Sequence, residues 1–324
     1  MRSVDVAALL GAPGLAAEMG RVESALLDAT RSMDPFLSEV AGHLAGAGGK
    51  RIRPALTIAA ALAGGAGTTG AVVSGGISVE LVHLGSLYHD DVMDEADSRR
   101  GVESVNARWG NLTAILAGDF LLAKASEIAA SLGTEVAGLL AATIGRLCEG
   151  QVGELRTAFN VGRTEADYLA SIAGKTASLT AAACRIGGIV GNLARDEIEA
   201  LTAFGQAFGM VFQIRDDCLD VTGSDEQLGK PSGQDLVEGT YSLPVIRALA
   251  MPGVGPELAP LLGRPLDPIE MDKARAVIRA SGAVDQAMAE ARRYADQASA
   301  ALAPLGANAA AKALAGAGHI LLDA

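Results

Sequence analysis

Between residues 86 and 101 the chain reads SLYHDDVMDEADSRRG, and a related stretch, FQIRDDCLD, occupies 212–220. Each holds two adjacent aspartates and a third one turn on: Asp90, Asp91 and Asp94, then Asp216, Asp217 and Asp220. At about 100° per residue a helix carries Asp90 and Asp94 on one face, with Asp91 about a quarter turn away. Asp216 and Asp220 pair in the same way, with Gln213 about one turn before them. His83 falls on the stripe of Asp90. Like charges four residues apart repel by a few tenths of a kcal/mol per pair, so a positive partner is expected. Either cluster alone reads equally well as a solvated acidic helix end. Two of them, each ending an apolar helical run, point to a shared cation.

Magnesium suits that pattern. It takes hard oxygen ligands and is typically held by one or two carboxylates together with substrate phosphates. Two aspartate pairs facing each other would make a poor closed cage and a good clamp on a diphosphate. The clusters lack the alternating ligands and glycine of a calcium-binding EF-hand, and no cysteine–histidine set suggests zinc.

Positive charge is concentrated in a few places. In GAGGKRIRPAL, residues 46–56, glycines let the backbone approach a ligand, and Lys50, Arg51 and Arg53 precede Pro54 in the first turn of a helix. Arginine's planar fork matches phosphate oxygens, and lysine adds a point charge. SRRG supplies Arg99 and Arg100, GKTASL supplies Lys175 and Thr176, and LGKPSGQDL supplies Lys230. Two diphosphate sites follow. One is bridged by metal between the aspartate clusters; the other is metal-free, built from Lys50, Arg53, His83 and Arg100.

The elements that position these groups read as helices. Alternation of period two is scarce, whereas three- and four-residue steps such as Leu201, Phe204, Phe208 and Val211 are common. Glycine-rich breaks at 46–49, 64–70, 251–255 and 305–308 separate the blocks, and prolines between 252 and 268 mark a loop-rich passage before a last helical section, 274–303. No linker interrupts 112–222, so one all-α domain spanning 1–324 is expected. Half of the 324 residues are hydrophobic and 3% aromatic, with 40 glycines, which predicts a core of closely packed small side chains. A net charge of −12 argues against nucleic acid or an anionic membrane as partner. Cys148, Cys184 and Cys218 form no ligand or disulfide pattern, in keeping with a reducing cytoplasm. VAALLGAPGLAA, between Asp5 and Glu18, reads as a short helical entry rather than a signal peptide. The quiet stretch 177–194 carries Arg185 and glycines, so no integral membrane segment is expected.

GGKRIRP, LYHDDVMDEADSRRG, GKTA, FQIRDDCLD and GKPSGQDLVEG, in this order, resemble the motifs of trans-isoprenyl (polyprenyl) diphosphate synthases, from about residue 48 to 244. The resemblance implies a helical bundle of roughly a dozen helices around a deep apolar cavity, usually a homodimer, with the aspartates at its mouth. It implies Asp90, Asp94 and Asp216 as the main Mg²⁺ ligands, with Asp91, Asp217 and Asp220 supporting them. Arg99, assisted by Lys175 and Lys230, would hold an allylic diphosphate. Lys50, Arg53, His83 and Arg100 would hold isopentenyl diphosphate, and Thr176 and Gln213 offer dipoles to steady an allylic cation. One departure is Thr240 in EGTYSLP, where related chains often carry lysine.

Product length is expected to follow bulk below the first cluster. Gly85 and Ser86 are small where short-product relatives carry aromatic plugs, which implies an open floor and a long product, roughly C30 to C50. Tyr88 is bulky nearby, and Ile115, Phe120 or Leu121 offer deeper plugs. Geranylgeranyl or farnesyl products and a subunit of a heteromeric synthase are the alternatives within this resemblance; a class I terpene cyclase would need neither GGKRIRP nor a second full cluster. His43, His319 and Trp109 read as packing residues, and Asp119 and Glu154 as structural hydrogen-bonding groups.

Overall fold

The structure, a computed structural model, describes residues 6–224 and 232–323; Lys230 lies outside the described residues. Its elements run α1 (Val6–Leu10), α2 (Leu15–Ala29), α3 (Pro35–Gly46), α4 (Ile52–Ala63), α5 (Gly70–Met93), a hairpin of β1 (Ser98–Arg99) and β2 (Val102–Glu103), α6 (Val105–Trp109), α7 (Asn111–Ser131), α8 (Thr134–Arg156) and α9 (Glu165–Ile172). A π turn (Ala173–Ala177) leads into α10 (Ser178–Val190) and α11 (Arg195–Thr222). After the second aspartate cluster come α12 (Gln234–Val237), α13 (Leu243–Ala250), α14 (Gly255–Leu258), α15 (Pro268–Ala280), α16 (Ala283–Ala301) and α17 (Ala309–Asp323).

Helix boundaries follow local chemistry. Asp34 caps α3 by accepting from the Phe36 and Leu37 N–H groups, with Pro35 at the first helical position. Thr164 and Asp167 close a reciprocal capping box on α9. The glycine-rich breaks at 46–49 and 64–70 fall where α3 and α4 end and α5 begins. The hairpin escaped a reading based on alternation, because its strands are two residues each. The final helical section also extends further than expected: beyond α16, the alanine-rich tail forms α17.

The layers are built from small side chains. On α16, Ala283, Ala287, Ala291, Ala295 and Ala298 make a fully buried stripe, which lets α11 and α17 lie close against it. On α11, a Cβ at Gly209 would come within 2.5 Å of the Ala177 Cα, and one at Gly205 within 2.6 Å of the Thr180 carbonyl oxygen. Only glycine allows α11 so near to α10. Two buried apolar clusters result, one around α4, α5, α7 and α10, the other around Tyr168, Ile214, Tyr241 and Leu243; Tyr294 and Leu322 pack against both. Among the described residues α5, rather than the 177–194 stretch, is long and apolar enough to cross a membrane, and 67% of its apolar window is buried inside the protein. Packing against α4, α7 and α10 accounts for that apolarity without a bilayer.

Candidate active site

Helices α5 and α11 bring aspartates of both clusters to two adjoining cavities. A cavity of about 770 Å³ is lined by Asp90 and Asp216 together with Lys50, Arg53, His83, Arg99, Arg100 and Lys175. A second cavity of about 630 Å³ contains Asp94 and Asp217, and the two share Met93, Gln151, Leu155, Lys175, Thr176 and Gln213 as wall. Burial raises the Asp90 carboxyl above the usual range, and Asp94 adds to the rise against the pull of Lys175. Asp94, at the end of α5, is raised for the same first reason. Carboxyls that resist ionisation next to one another are a site that gains from a cation. Among the described residues no group of three or more His, Cys, Asp or Glu could hold a metal by itself. The donor set therefore fits a hard divalent ion completed by a ligand's phosphate oxygens, as expected for magnesium, and does not fit a self-sufficient cage.

The remaining aspartates are placed differently. Asp91 is fully buried and paired with Arg99, whose Nε lies 2.7 Å from Oδ1. Asp217, 6% exposed, accepts from the Tyr168 hydroxyl at 2.6 Å and the Gln213 amide at 2.7 Å; burial pushes its carboxyl up to about 7. Asp220 corrects the sequence reading. It is 3% exposed, lines neither cavity, and accepts from the Asp235 N–H at 3.2 Å, while its own carbonyl accepts from the Gly233 N–H at 2.9 Å. One helical turn beyond Asp216, it faces the 232–235 segment and anchors that turn instead of the metal-facing side.

The basic groups converge in the larger cavity. Gly49 at φ 151° and Arg51 at φ 49° fold the GGKR loop over it, and a Cβ on Gly49 would strike the Arg100 guanidinium at 2.8 Å. Arg51, between Lys50 and Arg53 in the basic cluster, is a scaffold: its guanidinium reaches Glu23 at 2.8 Å, the Ala45 carbonyl at 2.6 Å and Glu80 at 3.4 Å. Arg100 donates to the carbonyls of Leu44 and Gly48. The Arg53 Nε is buried without a hydrogen-bond partner. Burial, and then Arg53 and Arg100, hold the His83 imidazole well below its ordinary pKa, so it is neutral near pH 7 and has both a donor and an acceptor nitrogen. The Lys50 ammonium lies 5.9 Å from the Phe212 ring centroid.

Lys175 and Thr176 project from the π turn, a wide turn of the kind that marks functional positions. The turn fits because α8 meets it at Gly150, where a Cβ would lie 2.6 Å from the Lys175 N. Lys175 donates to Glu154 at 2.7 Å; burial lowers its pKa, but Glu154 and Asp90 outweigh that and raise it. Thr176 donates to the Gln213 Oε1 at 2.7 Å. Glu154, read from sequence as a structural group inside α8, thus lines the chamber as partner to a site lysine. Thr240 stands on the wall of the smaller cavity.

The residues expected to control product length separate. Ser86 lines the larger cavity. Gly85 does not: it is buried against α7, and a Cβ there would meet the Gly118 carbonyl oxygen at 3.0 Å and Leu122 at 3.2 Å. Its smallness serves the α5–α7 contact, which corrects the reading of Gly85 as cavity floor. Tyr88 also points away, fully buried, with its hydroxyl donating to the Val40 carbonyl at 2.8 Å. Ile115 is 41% exposed. Trp109 packs edge-on to His43, ring centroids 5.0 Å apart, and Asp119 lies 3.4 Å from His89 near the surface.

Comparison with known proteins places the sequence and the fold. The sequence profile of the polyprenyl synthetase family matches residues 34–278. A nonaprenyl diphosphate synthase of Mycobacterium tuberculosis is 40% identical over 298 residues, 91% of this chain and 89% of that protein. A heptaprenyl diphosphate synthase component 2 of Geobacillus stearothermophilus is 38% identical over 285 residues, 88% of each. A crystal structure of a polyprenyl synthase from Caulobacter crescentus, complexed with calcium and isoprenyl diphosphate, superposes with a TM-score of 0.92 at 34% identity, covering 100% of this chain and 99% of that one.

Proposed function

The chain belongs to the polyprenyl synthetase family, a family of chain-elongating prenyltransferases, and from that premise we propose that it joins isopentenyl diphosphate to an allylic diphosphate to make a long all-trans polyprenyl diphosphate with Mg²⁺ as its ion. The observation that carries this reading is the meeting of Asp90 and Asp216, from α5 and α11, in a chamber that also holds Lys50, Arg53, His83 and Arg100.

Bound divalent ions would neutralise charge on the leaving diphosphate as the allylic C–O bond breaks. Asp90, Asp94 and Asp216 are the residues that would hold them. Lys175 and Arg99 add fixed positive charge at the leaving group, inside a site where a preorganised cation acts through little water. Lys50, Arg53, Arg100 and neutral His83 hold the second diphosphate, so that its double bond lies against the reacting carbon. Thr176, its proton given to Gln213, turns lone pairs towards the developing allylic cation. Among the described residues no side chain is assigned as a base in this scheme, and the departing diphosphate takes the proton.

The long product is supported by Ser86, which leaves the cavity wall open below Asp90, and by the nonaprenyl and heptaprenyl synthases among the relatives. A homodimer is supported by apolar side chains left exposed on α7, among them Leu112 at 73% and Leu116 at 57%. Unpaired Cys148, Cys184 and Cys218 support a cytoplasmic enzyme. A second reading has an observation of its own: the Geobacillus relative is a component of a synthase, so this chain would need a partner polypeptide. Incubating the purified protein with Mg²⁺, isopentenyl diphosphate and farnesyl diphosphate decides between them. A longer prenyl diphosphate without added protein is expected; no product until a second chain is supplied would favour the component reading.

A further inference from the structure

The smaller cavity has a cation with no role in the scheme above. Arg163, in the loop between α8 and α9, is 4% exposed and lines this cavity beside Lys175, Gln213 and Thr240. Its Nη1 donates to the Tyr241 carbonyl at 3.0 Å, and its guanidinium carbon lies 5.7 Å from the Tyr168 ring centroid. Nε and Nη2 are buried without a hydrogen-bond partner. Three nearby cations are matched to carboxylates, Lys175 to Glu154, Arg99 to Asp91 and Arg51 to Glu23, whereas Arg53 and Arg100, in the larger cavity, are not. Arg163 is held by a carbonyl and an aromatic face, and Asp167, the nearby carboxylate that feels its charge, is turned to Thr164 instead of bonding it.

A buried guanidinium with two unused donors is costly unless something completes it. Protein surrounds it, so its charge is weakly screened. Thr240, one residue before the carbonyl that Arg163 holds, faces the same cavity with an uncharged side chain. We infer that Arg163 is a further diphosphate-binding cation, acting on the allylic or released diphosphate from the Tyr241 side of the chamber. This rests on the proposed reaction, since it takes that reaction's diphosphate as its ligand.

Calorimetric titration of the whole protein with inorganic pyrophosphate in excess Mg²⁺ tests it. Arg163→Gln keeps a donor for the Tyr241 carbonyl and removes the charge; Arg163→Lys keeps the charge. Pyrophosphate is expected to bind about tenfold more weakly to Arg163→Gln, the loss of one charge-assisted contact, and with a smaller loss to Arg163→Lys, which keeps the charge but not the planar fork. The KM for isopentenyl diphosphate should not move. Wild-type affinity in Arg163→Gln, or equal losses in both variants that track equal drops in melting temperature, would overturn the inference and leave the proposed function standing. If wild-type protein binds no pyrophosphate, the proposed function itself fails. Should Arg163→Gln not fold, the arginine Nε–H signal that disappears in Arg163→Lys can be followed in wild-type protein. A shift on adding pyrophosphate and Mg²⁺ supports the contact, and an unmoved signal refutes it.

Discussion

Gln213 stands between Thr176 and Asp217, accepting the threonine's hydroxyl proton at 2.7 Å and donating its amide to the aspartate at 2.7 Å. The order of donors has a consequence. When Asp217 is ionised both its oxygens accept, Oδ2 from Tyr168 and Oδ1 from Gln213, so the Gln213 nitrogen faces it and the Gln213 oxygen faces Thr176. Thr176 then spends its only proton on Gln213, and its lone pairs are left for the cavity. Thr176→Val keeps the shape and removes the dipole. Turnover should fall by about 10- to 100-fold, the scale of one lost preorganised dipole, with both diphosphate KM values nearly unchanged. Combined with Gln213→Leu, the loss should be well short of the product of the two, because the residues act as a unit. Steady-state kinetics on the four proteins checks this; a rise in KM without loss of kcat would show a binding role instead.

The aspartates should divide by where the helix turns them. Asp90→Asn and Asp216→Asn each remove a charge from the shared chamber, and kcat should fall by about a thousandfold or more, comparable to loss of a principal electrostatic stabiliser. Chelation should abolish activity in wild-type protein and Mg²⁺ should restore it. Asp220→Asn, which alters the anchor of the 232–235 turn, should reduce thermal stability more than the chemical step. Near-wild-type turnover in Asp216→Asn would remove α11 from the metal site.

Much of this was legible from residue types and spacing. The helices announced themselves through three- and four-residue periodicity and glycine breaks, and the aspartate and basic motifs through chemistry that few other patterns share. What escaped was set by tertiary neighbours. Asp216 and Asp220 lie one turn apart on the helix, and contacts from the 232–235 segment packed on α11 separate the buried Asp220 from its partner. Gly85 and Ser86 differ by one residue, so the rotation of α5 against Gly118 and Leu122 chooses which of them faces the cavity. Glu154 meets Lys175 from another helix, a pairing that no local pattern encodes. Two-residue strands carry no period to detect.

His83 supplies a pH test. Burial and the surrounding arginines lower its folded pKa well below 6.5, so the unfolded chain binds its proton more readily than the folded one does. The stability from a neutral His83 is therefore fully present above its unfolded pKa and is lost as pH falls below about 6.5. Between about pH 7.5 and pH 5.5 the melting temperature of wild-type protein should drop more than that of His83→Gln, which cannot titrate there. Parallel curves for the two proteins would show that His83 is not held neutral.

Product length is the last point where two adjacent residues give opposite expectations. Ser86 borders the cavity, so Ser86→Phe puts a ring into the space through which the growing chain passes, and the product should shorten with little change in stability. At Gly85 a side chain meets α7 first, the Gly118 carbonyl at 3.0 Å and Leu122 at 3.2 Å. Gly85→Phe should therefore force the α5–α7 contact apart and destabilise the protein by about 1–3 kcal/mol or more, as overpacking does. Product chromatography and urea unfolding on both variants separate the cases. If Gly85→Phe shortens the product at unchanged stability while Ser86→Phe does nothing, then Gly85, not Ser86, faces the growing chain, and α5 is turned in solution by about the 100° that separates neighbouring residues on a helix.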